Sequence, residues 1–289
     1  MSSQQDIKRR VTSVRNTRKV TKAMELVSGA HLRRAQARIE DLRPYADAME
    51  QLIGQTARLA RGVREPLLER REVTTTAIVA LTGDRGLAGA FNASVIRRAM
   101  AESRQEQGQG RSVVWMAVGK RGVGSLRFRG VDLDGVWQGF TRRPEYTDAG
   151  GVAERVVEAY RERRVDRVLL VYNSFQSAIA QTVVAQELLP FPLGDDDRRE
   201  GAVEGLMTFE PAAEEMLSAL LPSAVETAVY RAMLESAASE HGARMTAMRN
   251  ASDNAQDLIG RLTLEMNRAR QSEITQEILE VVAGADALA

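Results

Sequence analysis

The chain has 289 residues, with an apolar fraction of 44% and an aromatic fraction of only 4%, which suits one or two domains packed through Ala, Leu, Val and Met. A formal charge of +1 excludes a chain that is basic or acidic throughout, and the lack of cysteine excludes disulfides, thiolate catalysis and iron–sulfur ligation. Two histidines, His31 and His241, argue against a zinc site, and no run approaches the ~20 apolar residues that span a bilayer.

From Asp6 to about Arg61 the pattern predicts a helix. Apolar residues recur at Ile7, Val11 and Val14, then at Val20, Met24 and Val27, then at Leu32, Ala35, Ile39 and Leu42, three or four apart with slips between the groups. Pro44 predicts a kink or interruption. This segment is basic: Lys8, Arg9, Arg10, Arg15, Arg18, Lys19, Lys22, Arg33 and Arg34 are offset only by Asp6 and Glu25. A solvated face, a contact with acidic neighbours and a nucleic-acid arm all fit such a run, but no interleaved aromatics support the last. Residues 62–71, with Pro66, read as a linker.

The middle of the chain changes period. Runs at 76–82, 112–118, 167–172 and 180–189 predict strands, and 93–106 and 151–163 predict helices, the alternation of an α/β domain with a mainly parallel sheet. Gly83, Gly86 and Gly89 follow a strand without matching a dinucleotide or phosphate-loop pattern, and Gly119 to Gly122 fails the same test. A tight strand-to-helix turn, held by Asp84 and Arg85, is the expectation there. Residues 194–205, with Asp195, Asp196 and Asp197, predict an exposed loop. No nucleophile–base or paired-carboxylate pattern stands out, so neither a catalytic site nor a cofactor is expected.

After Pro222 proline is absent, and Ala251, Ala255, Leu258, Leu262, Met266 and Ala269 keep heptad-like spacing, resuming at Ile274, Ile278, Val281, Ala285 and Leu288. A helix of this extent is roughly 100 Å long and needs a partner to cover its stripe. The predicted fold is α+β: a long antiparallel coiled coil of segments 1–61 and 209–289, with a Rossmann-like α/β domain, 72–207, inserted between them.

Three stretches resemble one family along nearly the whole chain. They are DIKRRV (6–11), NTRKVTKAM (16–24) and LRRAQ (32–36); GDRGLAGAFN (83–92); and ESAASEH (235–241), RMTAM (244–248), ASDN (251–254), NRARQ (267–271) and ITQEILE (274–280). They are similar to the gamma subunit of bacterial F-type ATP synthases. Two positions depart from the usual pattern: Ala88 stands where many members carry cysteine, and Met266 where an aromatic is common. No insert of the chloroplast thiol-control type is present.

The resemblance implies a non-catalytic central-stalk rotor, one copy per complex, at the cytoplasmic face of the cell membrane as a peripheral protein. Its implied partners are the alpha and beta subunits of the catalytic hexamer, the epsilon subunit and the membrane c-ring, with no nucleic acid. The match also implies that Met24 and Arg244 face each other and influence coupling, and that Arg270, Gln271, Thr275 and Glu277 meet the catalytic subunits. From residue type alone, Met24 reads equally as coiled-coil core and Arg244 as a solvated charge. The small residues of 281–289 suit a bearing or a frayed terminus alike. A small-molecule enzyme with helical dimerisation arms, and a coiled-coil scaffold, remain as rival readings of the residues.

Overall fold

A computed structural model of the chain describes residues 4–59, 65–177, 180–193 and 213–286. The elements are α1 (Gln4–Leu59), a 3-10 turn (Pro66–Leu68), β1 (Thr75–Leu81), α2 (Phe91–Gly108), β2 (Ser112–Val118), α3 (Lys120–Phe128), β3 (Gly135–Trp137), α4 (Tyr146–Arg161), β4 (Arg167–Phe175), β5 (Gln181–Leu189) and α5 (Ala213–Asp286). By compactness the chain divides into two units: 1–28 with 244–289, and 29–243. Helices α1 and α5 contribute to both.

The larger unit is built on one sheet of order β3-β2-β1-β4-β5. β1 pairs parallel with β2 and β4, and β2 parallel with β3. β5 returns antiparallel on β4, with an irregularity beside Val168. β1 is buried on both faces, so its residues alternate between two cores rather than between core and water. Ala77, Val79 and Leu81 join Val152, Val156 and Tyr160 of α4 and Leu221, Val225 and Val229 of α5. Ile78 and Ala80 join Val95 and Ala99 of α2 and Val123 and Leu126 of α3 on the other face. The N-terminus of α4 carries a reciprocal cap, with Glu145 and Asp148 each accepting from the other's backbone.

Several expectations are corrected. Pro44 does not interrupt α1. Both Pro44 and Glu40, whose carbonyl the missing N–H leaves without its helical donor, are exposed, so solvent can reach that carbonyl. Pro222 lies inside α5, which begins nine residues earlier at Ala213, within the expected segment 209–289. Two elements had no sequence counterpart: β3 is three residues long, and α3 carries glycines at 122 and 124 that weaken a helical signal. The stretch set down as linker includes the turn at Pro66–Leu68, where Leu67 is fully buried. The expected loop at 194–205 lies outside the described residues, as do the last residues of the small-residue terminus, 287–289.

Candidate functional site

In the smaller unit the two helices run antiparallel. Ile7 and Val11 of α1 pack with Ile259 and Leu262 of α5, and half-buried Val14, Met266 and Ala269 flank them. Ala255, Leu262, Met266 and Ala269 keep the expected heptad places, and one position departs from it: Leu258 is exposed and Ile259 is buried instead.

Farther along, the seam becomes polar. Thr21 and Ser252 bond hydroxyl to hydroxyl at 2.7 Å. Buried Glu25 accepts from Lys22 at 2.9 Å and from Arg249 at 3.1 Å. Ser28 donates to the Met24 carbonyl at 2.7 Å, and Ser252 also donates to that of Met248 at 2.9 Å. Hydroxyls that bond back to their own helix can occupy a tight seam at little cost, because no buried donor is stranded. The bonds from Lys22 and Arg249 outweigh the desolvation of Glu25 and hold its carboxyl below the usual range.

The apolar group Val20, Met24 and Val27 therefore does not line the seam. Val20 and Val27 are more than half exposed, as is Leu26, while Met24 is half-buried. The reason is geometric: Thr21, Glu25, Ser28 and Leu32 hold the 3.6-residue face that meets α5. Arg244 is buried, not a solvated charge, and lies on the other helix of this unit from Met24. Thr21–Ser252 and Glu25–Arg249 link the two helices in this stretch. Sequence reading missed these four as site residues, although Glu25 was one of two acids in the basic segment.

Beyond Ala269 every α5 residue through Ala283 is exposed, including Arg270, Gln271, Thr275 and Glu277. At ~100° per residue, Arg270 and Glu277 share one face and Gln271 and Thr275 another. Thr275 donates to the Gln271 carbonyl at 2.8 Å. Ile274, Ile278, Leu279, Val281 and Val282 stand exposed between them. Five large apolar side chains exposed within nine residues make a patch suited to contact with other protein.

The larger unit closes the places where α/β sheets usually hold ligands. Asp84 accepts from the backbone N–H groups of Lys120, Gly139 and Thr141 and from the Thr141 hydroxyl. Burial alone would raise its pKa, but these bonds prevail and lower it. Asn92, not Arg85, completes the turn: its side chain accepts from Gly83 N–H and donates to the Arg85 carbonyl. The first N–H groups of α3 are used as well, Arg121 bonding the Gly83 carbonyl and Gly122 the Thr82 hydroxyl. No backbone cradle is left there for a phosphate.

Other buried carboxylates are similarly engaged. Glu106 binds Thr76, Arg111 and Arg167, and Asp166 binds Thr74, Thr75 and Arg71. Burial pushes both upward, and their donors more than compensate, so both titrate below the usual range. A general base near neutrality would need the opposite shift. Glu106 ties α2 to β1 and β4, and Asp166 ties the approach to β4 to the start of β1.

A family model described as ATP synthase matches residues 3–288. The ATP synthase gamma chain of Rubrobacter xylanophilus is 44% identical, with 100% of this chain and 99% of the relative covered. That of Alkaliphilus metalliredigens is 42% identical, with 98% of each covered. This chain belongs to the ATP synthase gamma-chain family. Among solved structures, a chain from the central stalk and c-ring of the Tetrahymena thermophila mitochondrial ATP synthase is similar at a TM-score of 0.61 and 26% identity, covering 81% of this chain and 99% of that one. A chain from the Euglena gracilis mitochondrial rotor has a TM-score of 0.62 at 18% identity, covering 94% and 98%, and shares the fold. As a gamma chain the protein is a non-catalytic subunit. Among its described residues no helix is long and apolar enough to cross a membrane.

Proposed function

We propose that this gamma chain is the central-stalk rotor of a proton-translocating ATP synthase. The observation that carries the reading is the exposed continuation of α5. Past the buried seam every side chain from Arg270 to Ala283 is exposed, and Ile274, Ile278, Leu279, Val281 and Val282 are among them. Such a surface is suited to an asymmetric shaft enclosed by other subunits. Each orientation would present a different set of Val20, Leu26, Val27 and Arg270 to each surrounding catalytic site, and so favour a different binding state there.

The partners fitting this role are the alpha and beta subunits around the paired helices, with epsilon and the membrane c-ring at the larger unit. The setting is the cytoplasmic face of the cell membrane. Met24 and Arg244 are assigned to coupling; Arg270, Gln271, Thr275 and Glu277 to contacts with the catalytic subunits. Each elementary charge crossing 100 mV releases ~2.3 kcal/mol, so several must be pooled through a stiff element to drive one nucleotide step.

The test exploits the absence of native cysteine. A single cysteine at exposed Gln109, labelled with a gold particle on an immobilised alpha–beta–gamma complex, should rotate in three steps per turn on addition of ATP. Labelled particles that stay fixed while the complex hydrolyses ATP would refute the rotor role.

A further inference from the structure

A groove of about 780 Å³ lies between α2 and α3 on the face of the sheet away from α4. Its walls carry Arg97 and Arg104 from α2 and Lys120, Arg121 and Arg129 from α3, and no carboxylate lines it. Elsewhere in the larger unit arginines are regularly paired with acids, as Arg71, Arg98, Arg111, Arg155 and Arg167 are. Among the described residues, the side chains of Arg97, Arg104, Lys120 and Arg121 have no ion pair. Arg129 hydrogen-bonds only neutral oxygens of Ser125. Five uncompensated cations in one cleft raise its positive potential and favour an anionic occupant.

The floor is different in kind. Ile96, Met100 and Ala93 line it on one side, and Gly124 on the other. A Cβ added at Gly124 would meet nothing within 4 Å, so backbone can approach α3 closely there. The backbone N–H groups that begin α3 are already bonded to Asp84, Gly83 and Thr82, which leaves side chains alone to bind the anion. Arg97 and Arg104 are two turns apart on α2, ~10 Å along its axis, the spacing of carboxylates at i and i+7 on a helix.

We infer that the α2–α3 groove is a docking surface for an acidic amphipathic helix of a partner polypeptide, with its apolar stripe on Ile96 and Met100 and its carboxylates toward the two cationic walls. Helix-in-groove recognition requires this combination of apolar floor and complementary rim. The rotor reading assigns nothing to this face, and a rotating label reports on that reading independently.

The test uses the full chain and a labelled synthetic helical peptide with glutamates seven apart flanking a Leu stripe, alongside its glutamine counterpart. The glutamate peptide should bind at least tenfold more tightly, and its affinity should fall with salt. R97E/R104E should weaken it tenfold or more, as should G124L, which fills the groove without changing charge and favours helix. The charge-matched control R70E/R268E should not. Equal binding of both peptides, or binding that survives both groove variants, overturns the proposal. So does tighter binding by inorganic tripolyphosphate or by phosphatidylglycerol vesicles, which would make the cleft a small-anion or lipid site. In the assembled complex, a photoreactive group on a cysteine at position 124 should cross-link to an acidic helical segment; cross-links confined to uncharged or basic segments count against it.

Discussion

Thr21 and Ser252 share a 2.7 Å hydrogen bond between hydroxyls that are both buried where α1 meets α5. Carbonyls of their own helices, Arg18 and Met248, lie within reach at 3.0 and 2.9 Å, and the two protons can serve two of these three contacts at a time. Removing either hydroxyl therefore strands no donor, and Thr21→Val or Ser252→Ala should each cost under ~1 kcal/mol. The double variant should be nearly neutral, with a coupling of about 0.5 kcal/mol in a denaturant double-mutant cycle. A single variant costing more than ~2 kcal/mol would mean that this bond holds the seam.

Met24→Lys should uncouple the complex without unfolding it. Met24 is half-buried beside Glu25, whose carboxylate is shared by Lys22 and Arg249. A third cation here competes for that carboxylate, and Arg244 lies on the other helix of the same unit. Because the existing pairs involve exposed cations, the stability change should stay within ~1 kcal/mol. Proton pumping per ATP hydrolysed, measured in inverted vesicles, should fall several-fold. Unchanged pumping and hydrolysis would remove Met24 from the coupling residues.

Asp84 gives the larger unit an acid-sensitive joint. Its carboxyl is held below the usual range, so folding favours the ionised form. That stabilisation is fully present above the unfolded value of about 4 and is lost as pH falls through the lower folded value. Asp84→Asn should cost about 2 kcal/mol at pH 7, since the hydrogen bonds to a charged acceptor weaken. The gap between wild type and variant should narrow as pH falls from 5 to 2, read as denaturation midpoints. A gap that widens toward acid would reverse the sign of the argument.

The long helices and four strands were legible because each is a sustained run of one period. β3 and α3 were not, since three residues carry no period and Gly122 and Gly124 mimic a loop. Pro44 misled because a missing N–H matters little when water can reach the freed carbonyl. The outward turn of Val20 and Val27 was hidden for a deeper reason. Periodicity finds an apolar stripe and assumes that it faces its own partner, whereas in a subunit built to be enclosed the stripe can face another chain. Arg270, Gln271, Thr275 and Glu277 are assigned to contacts by family resemblance alone, since no single-chain rule marks exposed polar residues in that way.

Gly119 is the position where a methyl group should do most harm. Its φ is +94°, and an added Cβ would lie 2.1 Å from the Thr82 carbonyl oxygen, within the backbone link between β1 and β2. Neither atom can move without breaking the bond from Thr82 N–H to the Val118 carbonyl at 2.9 Å. Gly119→Ala should destabilise by ~3 kcal/mol or more, combining strain with a disrupted hydrogen bond. Gly89→Ala is the comparison: its φ is also positive, at +55°, but open space surrounds it, so it should cost only about 1 kcal/mol. Equal thermal shifts for the two would show that close packing at Gly119 contributes nothing.

Removal of residues 270–289 should separate stability from function. Within the described part of that segment, Arg270 to Ala283, every side chain is exposed, and the buried layer of the paired helices ends with half-buried Ala269. No core contact is lost among the described side chains, so the stability of the isolated chain, read by urea denaturation, should change by less than ~0.5 kcal/mol. The segment also carries Arg270, Gln271, Thr275 and Glu277, whose assigned partners are the catalytic subunits. The assembled complex should therefore show weaker association or lower torque, read as slower rotation against a viscous load. If truncation lowered the urea midpoint substantially while rotation under load was unchanged, the overhang would be a stabilising part of this chain's own fold, and its contact role would have to be abandoned.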